Sequence, residues 1–133
     1  MFKYLPLFIS GIMCGLIIYQ SIVIAPSINE LLNKQDASTY LRYIWPKFFL
    51  ITAFLSVVAG LIIQFSNLDQ NFAKIVFILS AVLMLMCFFA IPFMNDARDS
   101  DAENLFFILH AGSMIFTLIV LVLNLLILIY WKY

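Results

Sequence analysis

The side chains in this sequence best placed to do chemistry lie on one apolar stretch near the C-terminus: His110, Ser113, Thr117 and Asn124, with Met114 beside the histidine. At 100° per residue these four polar positions fall within an arc of about 60° on a regular helix. An earlier stretch carries Ser80, Met84, Cys87 and Met94 on one stripe of its own. A hairpin pivoting near Arg98 and Asp99 sets Cys87 opposite His110, Met84 opposite Ser113 and Ser80 opposite Thr117. Neutral imidazole, thiol and thioether form a soft-ligand set suited to Cu(I) or a comparable ion such as zinc. The candidate metal ligands are therefore His110, Cys87, Met84 and Met114. Ser113, Thr117 and Thr52 are candidate polar groups of the same layer, which also holds Tyr19 and Gln20. Two other readings stand beside the metal. Met and Cys are ordinary packing residues of apolar cores, and a lone buried histidine also serves as a polar or proton-relay group.

Other chemistries find less support. The chain has one histidine, so a bis-histidine haem site would need a symmetric dimer. No glycine-rich phosphate loop, His-Glu-x-x-His helix or nucleophile elbow occurs. Ser113 lies three residues from His110 with no carboxylate at its depth to orient the imidazole, so no catalytic residue is assigned and the chain does not read as an enzyme. The acidic stretch holding Asp96, Asp99, Asp101 and Glu103 lacks the glycine and terminal glutamate that a calcium-binding EF-hand loop needs. Ser100-x-x-Glu103 before Leu105-Phe106-Phe107 reads instead as a capping box, with pairing to Arg42 or Lys47 as the other use of these acids.

The elements that must position these residues are set by hydropathy. Four stretches, residues 4–29, 48–68, 75–95 and 104–131, carry no formal charge, and each reaches the ~20 residues that a spanning helix needs. What remains outside them is smaller than a minimal soluble domain of about 50 residues. With 65% hydrophobic and 11% charged residues, against about 25% charged in soluble domains, the surface must be covered by lipid. The expected fold is all-α: an integral membrane four-helix bundle forming a single domain. Net charge is zero with no basic run, which excludes nucleic acid as a partner. The first apolar run is longer than a signal-peptide core and no small-residue cleavage site follows it, so it reads as a retained anchor. Cys14 and Cys87 lie at different depths and are expected to be free thiols.

The helices are expected at about 5–25, 46–66, 73–93 and 103–131. Pro26 would end the first helix and the third would end near Pro92, while Pro46 would open the second. Between them, residues 27–45 repeat apolar residues at helical spacing on either side of Asn33-Lys34-Gln35-Asp36, which predicts short amphipathic helices in the headgroup layer with Tyr40, Tyr43 and Trp45 as interfacial aromatics. Gly11 and Gly15 form a small-xxx-small contact, read as a packing interface within the bundle or between copies. Three cations at one end against four at the other leave orientation open. Four spans put both termini on one side, and the usual dominance of the first helix favours the cytoplasmic face of a bacterial inner membrane.

Several short elements resemble those of the transmembrane protein 205-like family. Leu41-Arg42-Tyr43-Ile44-Trp45-Pro46-Lys47-Phe48-Phe49 is similar to the element that opens that family's second helix. Phe106-Phe107-Ile108-Leu109-His110-Ala111-Gly112-Ser113 resembles its His-x-x-Ser element, and Asn95-Asp96-Ala97-Arg98 its polar stretch after the third helix. Trp45 stands where the family usually has Phe, and Ile115-Phe116-Thr117 where it often has an Asn. The resemblance implies a four-helix membrane domain of unassigned activity. A link between its human member and resistance to platinum drugs adds weight to soft ligands at His110, Met84 and Cys87. Two functions follow: an accessory or structural protein that docks onto other membrane subunits or a second copy, or a protein that binds or transports a soft metal or small solute.

Overall fold

The computed structural model describes residues 2–132 and is helical almost throughout. After a 3-10 turn at Phe2–Tyr4 come four helices long and apolar enough to cross a bilayer: α1 (Leu5–Leu31), α2 (Lys34–Phe65), α3 (Asn71–Asp99) and α4 (Glu103–Tyr130). Hydrocarbon offers backbone groups no hydrogen-bond partner, so each span must satisfy its own. The helices form a ring in which each packs on its sequence neighbours and α1 closes against α4. Phe77, Met13, Ile17, Ile63 and Met84 fill the centre, while the outward residues, such as Phe54, Ile75, Phe89 and Leu118, are apolar and exposed. An apolar exterior of this kind suits lipid contact in an integral membrane protein.

The helix boundaries differ from the sequence expectation. Residues 27–45 do not form separate interfacial helices: α1 runs through Pro26 to Leu31, and α2 begins at Lys34 with Pro46 inside it. Only Leu32 and Asn33 separate the two helices. The chain tolerates Pro26 by widening the preceding turn. Gln20–Ile24 is a π-helical turn in which the Ala25 N–H donates to the Gln20 carbonyl, five residues back, and Ser27 Oγ donates to the Val23 carbonyl at 2.7 Å. Asn33 explains the early start of α2, because its Oδ1 accepts from the Asp36 N–H at 2.9 Å and its Nδ2 donates to the Asp36 carboxylate at 2.7 Å. At 32 residues, α2 is about 48 Å long and outreaches a ~30 Å hydrocarbon layer. Its more polar N-terminal part, with Tyr40 and Tyr43 exposed, is then the end that projects.

At the far end of the second hairpin, α3 passes Pro92 and ends at Asp99. Ser100 therefore does not cap α4. Its hydroxyl donates back to the Asp96 carbonyl at 2.8 Å, and Ala102, which precedes α4, makes no side-chain cap. Asp101 takes the left-handed conformation, φ 55°, and the Ala102 N–H donates to the Ala97 carbonyl at 2.9 Å. That is a Schellman ending with aspartate in the place glycine usually holds. Asn67, φ 49°, ends α2 in the same way, with the Leu68 N–H donating to the Ile63 carbonyl. Arg42 on α2 makes a two-pronged ion pair with Asp99, with Nη1 to Oδ2 at 3.0 Å. At the opposite end Gln70 Nε2 donates to the Lys132 carbonyl at 2.6 Å and Lys132 pairs with Asp69 at 3.1 Å.

Candidate binding cavity

The polar stripe of α4 divides into two parts. Towards its C-terminal end, Asn124 is fully buried and satisfied by three helices: Ser10 Oγ of α1 donates to its carbonyl and its Oδ1 at 2.9 and 3.0 Å, and its own Nδ2 donates to Ser80 Oγ of α3 at 3.2 Å and to the Val120 carbonyl at 2.9 Å. Ser10 and Ser80 are likewise wholly buried. This is a closed knot with no capacity left for a ligand.

The facing pairs are shifted from the expected register. Ser80 meets Asn124, two turns beyond Thr117, and the Cys87 thiol lies 4.0 Å from the Ser113 carbonyl, one turn beyond His110. The hairpin pivots at Ser100 to Ala102 rather than at Arg98 and Asp99, because α3 is longer than Pro92 led one to expect. The soft-ligand set is separated as a result. Met84 and Cys87 are buried in the core, whereas His110 lines a cavity at the loop end and Met114 stands on its outer edge, 60% exposed. Among the described residues no three His, Cys, Asp or Glu side chains gather around a point where a metal ion would sit.

That cavity, of about 480 Å³, lies between all four helices at the end where Arg42, Asn95 and Arg98 form a polar rim, and its size is ordinary for a small-molecule site. Ile17, Trp45, Phe48, Phe49 and Ile91 make its walls. Trp45 stacks on Phe49 with ring centroids 5.6 Å apart, and Phe106 stacks on the His110 imidazole at 5.6 Å and 8° between planes. Exposed residues of α1 (Ile18, Ile22) and of α4 (Ile115, Leu118) also line it, so it opens sideways between those helices.

Two hydroxyls that line the cavity are already engaged within their own helix. Ser113 Oγ donates to the His110 carbonyl and Thr117 Oγ1 to the Ser113 carbonyl, both at 2.8 Å. Thr52 is buried in the core and donates to the Phe48 and Phe49 carbonyls of its own helix. Gln20 is different. Its side chain lines the cavity, is 93% buried by its 7% exposure, and its Nε2 has no hydrogen-bond partner among the described residues. It is also the first residue of the π turn before Pro26. Such turns often mark functional sites, because they shift the side chains around them out of the regular α-helical spacing. Tyr19, from the same expected layer, is exposed.

Gly11 and Gly15 form no seam within the bundle. Gly15 is exposed, Gly11 is half-buried, and a Cβ on either would meet nothing within 4 Å. The stripe therefore faces out, and of the two expected contacts only one with another molecule remains.

A family model described as a domain of unknown function, DUF4149, matches residues 8–94. The chain belongs to this family. The match takes in the cavity residues of α1, α2 and α3 as far as Met94 and stops before Arg98 and the α4 residues. No curated protein and no solved structure matches the chain. A DUF4149 assignment supplies no residue roles, so the reading of the cavity depends on its own geometry.

Proposed function

We propose that this DUF4149 protein binds a small, largely apolar molecule drawn from the bilayer, acting as a binding or carrier protein and not as a catalyst. The observation that carries this reading is the buried Gln20 amide without a partner in a cavity that opens sideways to lipid. A buried polar group left unpaired costs roughly 1–3 kcal/mol, and an acceptor oxygen on a ligand would recover that. His110 is the second group the cavity offers: its imidazole makes no hydrogen bond to the described residues and is held flat against Phe106. The resemblance to the transmembrane protein 205-like family belongs to the same proposal, since Phe106 and His110 of the matching element lie in this wall. A soft ion in the same place would have to rely on His110 and Met114 without Cys87 and Met84. The accessory reading draws on one observation of its own, the outward-facing glycines of α1.

The test is native mass spectrometry of protein purified in mild detergent, with organic ligands and metals measured on the same sample. A small organic molecule bound to wild type and lost from Gln20→Leu is the expected result. Copper or zinc that tracks His110→Ala would replace it with the soft-metal reading. Co-purifying subunits with neither ligand nor metal would replace it with the accessory one.

A further inference from the structure

We infer that the molecule this cavity takes is an anionic amphiphile, its acidic head held by Arg98 at the rim and its apolar tail lying between α1 and α4. The inference rests on the binding reading above and names the ligand's chemical class. Two guanidinium groups line the cavity, and they are in different states. Arg42 is neutralised by the two-pronged pair with Asp99. Arg98 has no acidic partner among the described residues; its guanidinium lies over the Phe106 ring, 4.3 Å from the centroid. The same ring stacks on His110, so a charged donor, an aromatic face and an imidazole form one continuous wall from rim to interior. The neighbouring acids Asp96, Asp99, Asp101 and Glu103 are absent from the lining, which leaves positive charge facing the cavity.

The remaining polar groups fit the same ligand. Gln20 Nε2 is a donor, the rim adds the Asn95 amide, and among the described residues no carboxylate lines the space. A site offering donors suits a head group of acceptor oxygens. Below the rim the lining is mostly apolar and reaches the exterior past Ile22 and Ile115, so a chain anchored at Arg98 can continue into the bilayer along an apolar path. A fatty-acid carboxylate and a phospholipid phosphate both present this chemistry.

Trp45 in the cavity wall provides the readout. In Trp131→Phe protein, where Trp45 is the remaining indole, reconstituted in phosphatidylcholine nanodiscs, quenching is titrated with four probes brominated on the acyl chain: a fatty acid, the matching fatty alcohol, phosphatidylglycerol and phosphatidylcholine. Saturable quenching by an anionic probe is expected, with affinity falling about tenfold in Arg98→Gln, the size of one charge-assisted hydrogen bond. Arg98→Lys should retain most of it. Whether the acid or phosphatidylglycerol saturates identifies the source of the head group. Equal binding of the alcohol and the acid, unchanged in Arg98→Gln but lost in Gln20→Leu, would overturn the anionic head group while leaving the cavity as a binding site. No saturable quenching by any probe would overturn both.

Discussion

Ser10, Ser80 and Asn124 lie deep in the bundle with each side chain engaged, whereas Gln20 and His110, nearer the loop end, line open space with their polar groups unspent. Both sets are short runs of polar residues inside apolar helices, and composition does not distinguish them. Satisfaction does. In a medium without water a closed network locks helices together and an open one waits for a partner. The first set accounts for how α1, α3 and α4 are held in register, and the second for what the bundle is shaped to hold.

The largest effect expected from breaking this comparison is at Asn124. Asn124→Leu removes the side-chain link between three helices: Ser10 Oγ keeps only the residue-124 carbonyl as acceptor, and Ser80 Oγ loses its donor. Two interhelical bonds go at once, each worth under ~2 kcal/mol in a membrane protein, so a loss of about 2 kcal/mol is expected in reversible unfolding from mixed micelles. A change below about 0.5 kcal/mol would mean that the knot contributes little beyond packing.

Gln20→Leu should behave in the opposite way. It removes an unpaired buried amide, so stability should hold or rise by about 1 kcal/mol, while ligand retention falls. His110→Ala should likewise leave unfolding nearly unchanged and weaken binding. If Gln20→Leu destabilises the protein as Asn124→Leu does, the two polar sets are one structural system and the distinction between them fails.

How much of this distinction could be read from the sequence depends on the residue. The four spans were legible because apolar length is a local property. The stripe of His110, Ser113, Thr117 and Asn124 was legible as a stripe, but not its division, since satisfaction depends on what stands opposite. Opposite positions were displaced because Pro92 and Pro26 read as helix ends. In a bundle, neighbouring side chains and a π turn re-satisfy what proline removes, and nothing in the proline itself reports that. Asn33-x-x-Asp36 is a usable signal for the start of α2, one that the proline at position 46 masks. Gln20 was placed in the polar layer, yet its lack of a partner required knowing that Tyr19 points outward and that Ser113 and Thr117 bond within their own helix.

The Arg42–Asp99 pair sharpens the comparison at the rim. Asp99→Asn frees Arg42 without removing it, so the cavity mouth would carry two unpaired guanidinium groups instead of one. Tighter and more salt-sensitive binding of an anionic probe is expected, with a small and salt-screened effect on stability, since exposed ion pairs contribute little. Binding of the anionic probe that is unaffected by Asp99→Asn and by salt would show that rim charge does not act on the ligand.

The smallest effect on the fold is expected at Gly15, and that is what makes the position informative. A Cβ there meets nothing within 4 Å, so Gly15→Leu should leave unfolding within about 0.5 kcal/mol of wild type. Small residues on an outward helix face let a second backbone approach closely in lipid, and leucine would hold it off. Cross-linking yield between copies, or the mass of the intact detergent-solubilised assembly, is therefore the measurement that reads this surface. An assembly lost in Gly15→Leu but kept in Gln20→Leu would place docking and ligand binding on different faces of one bundle. An assembly unchanged in both would leave the glycine face with lipid alone against it, and the cavity as the feature of this fold that remains to be explained by function.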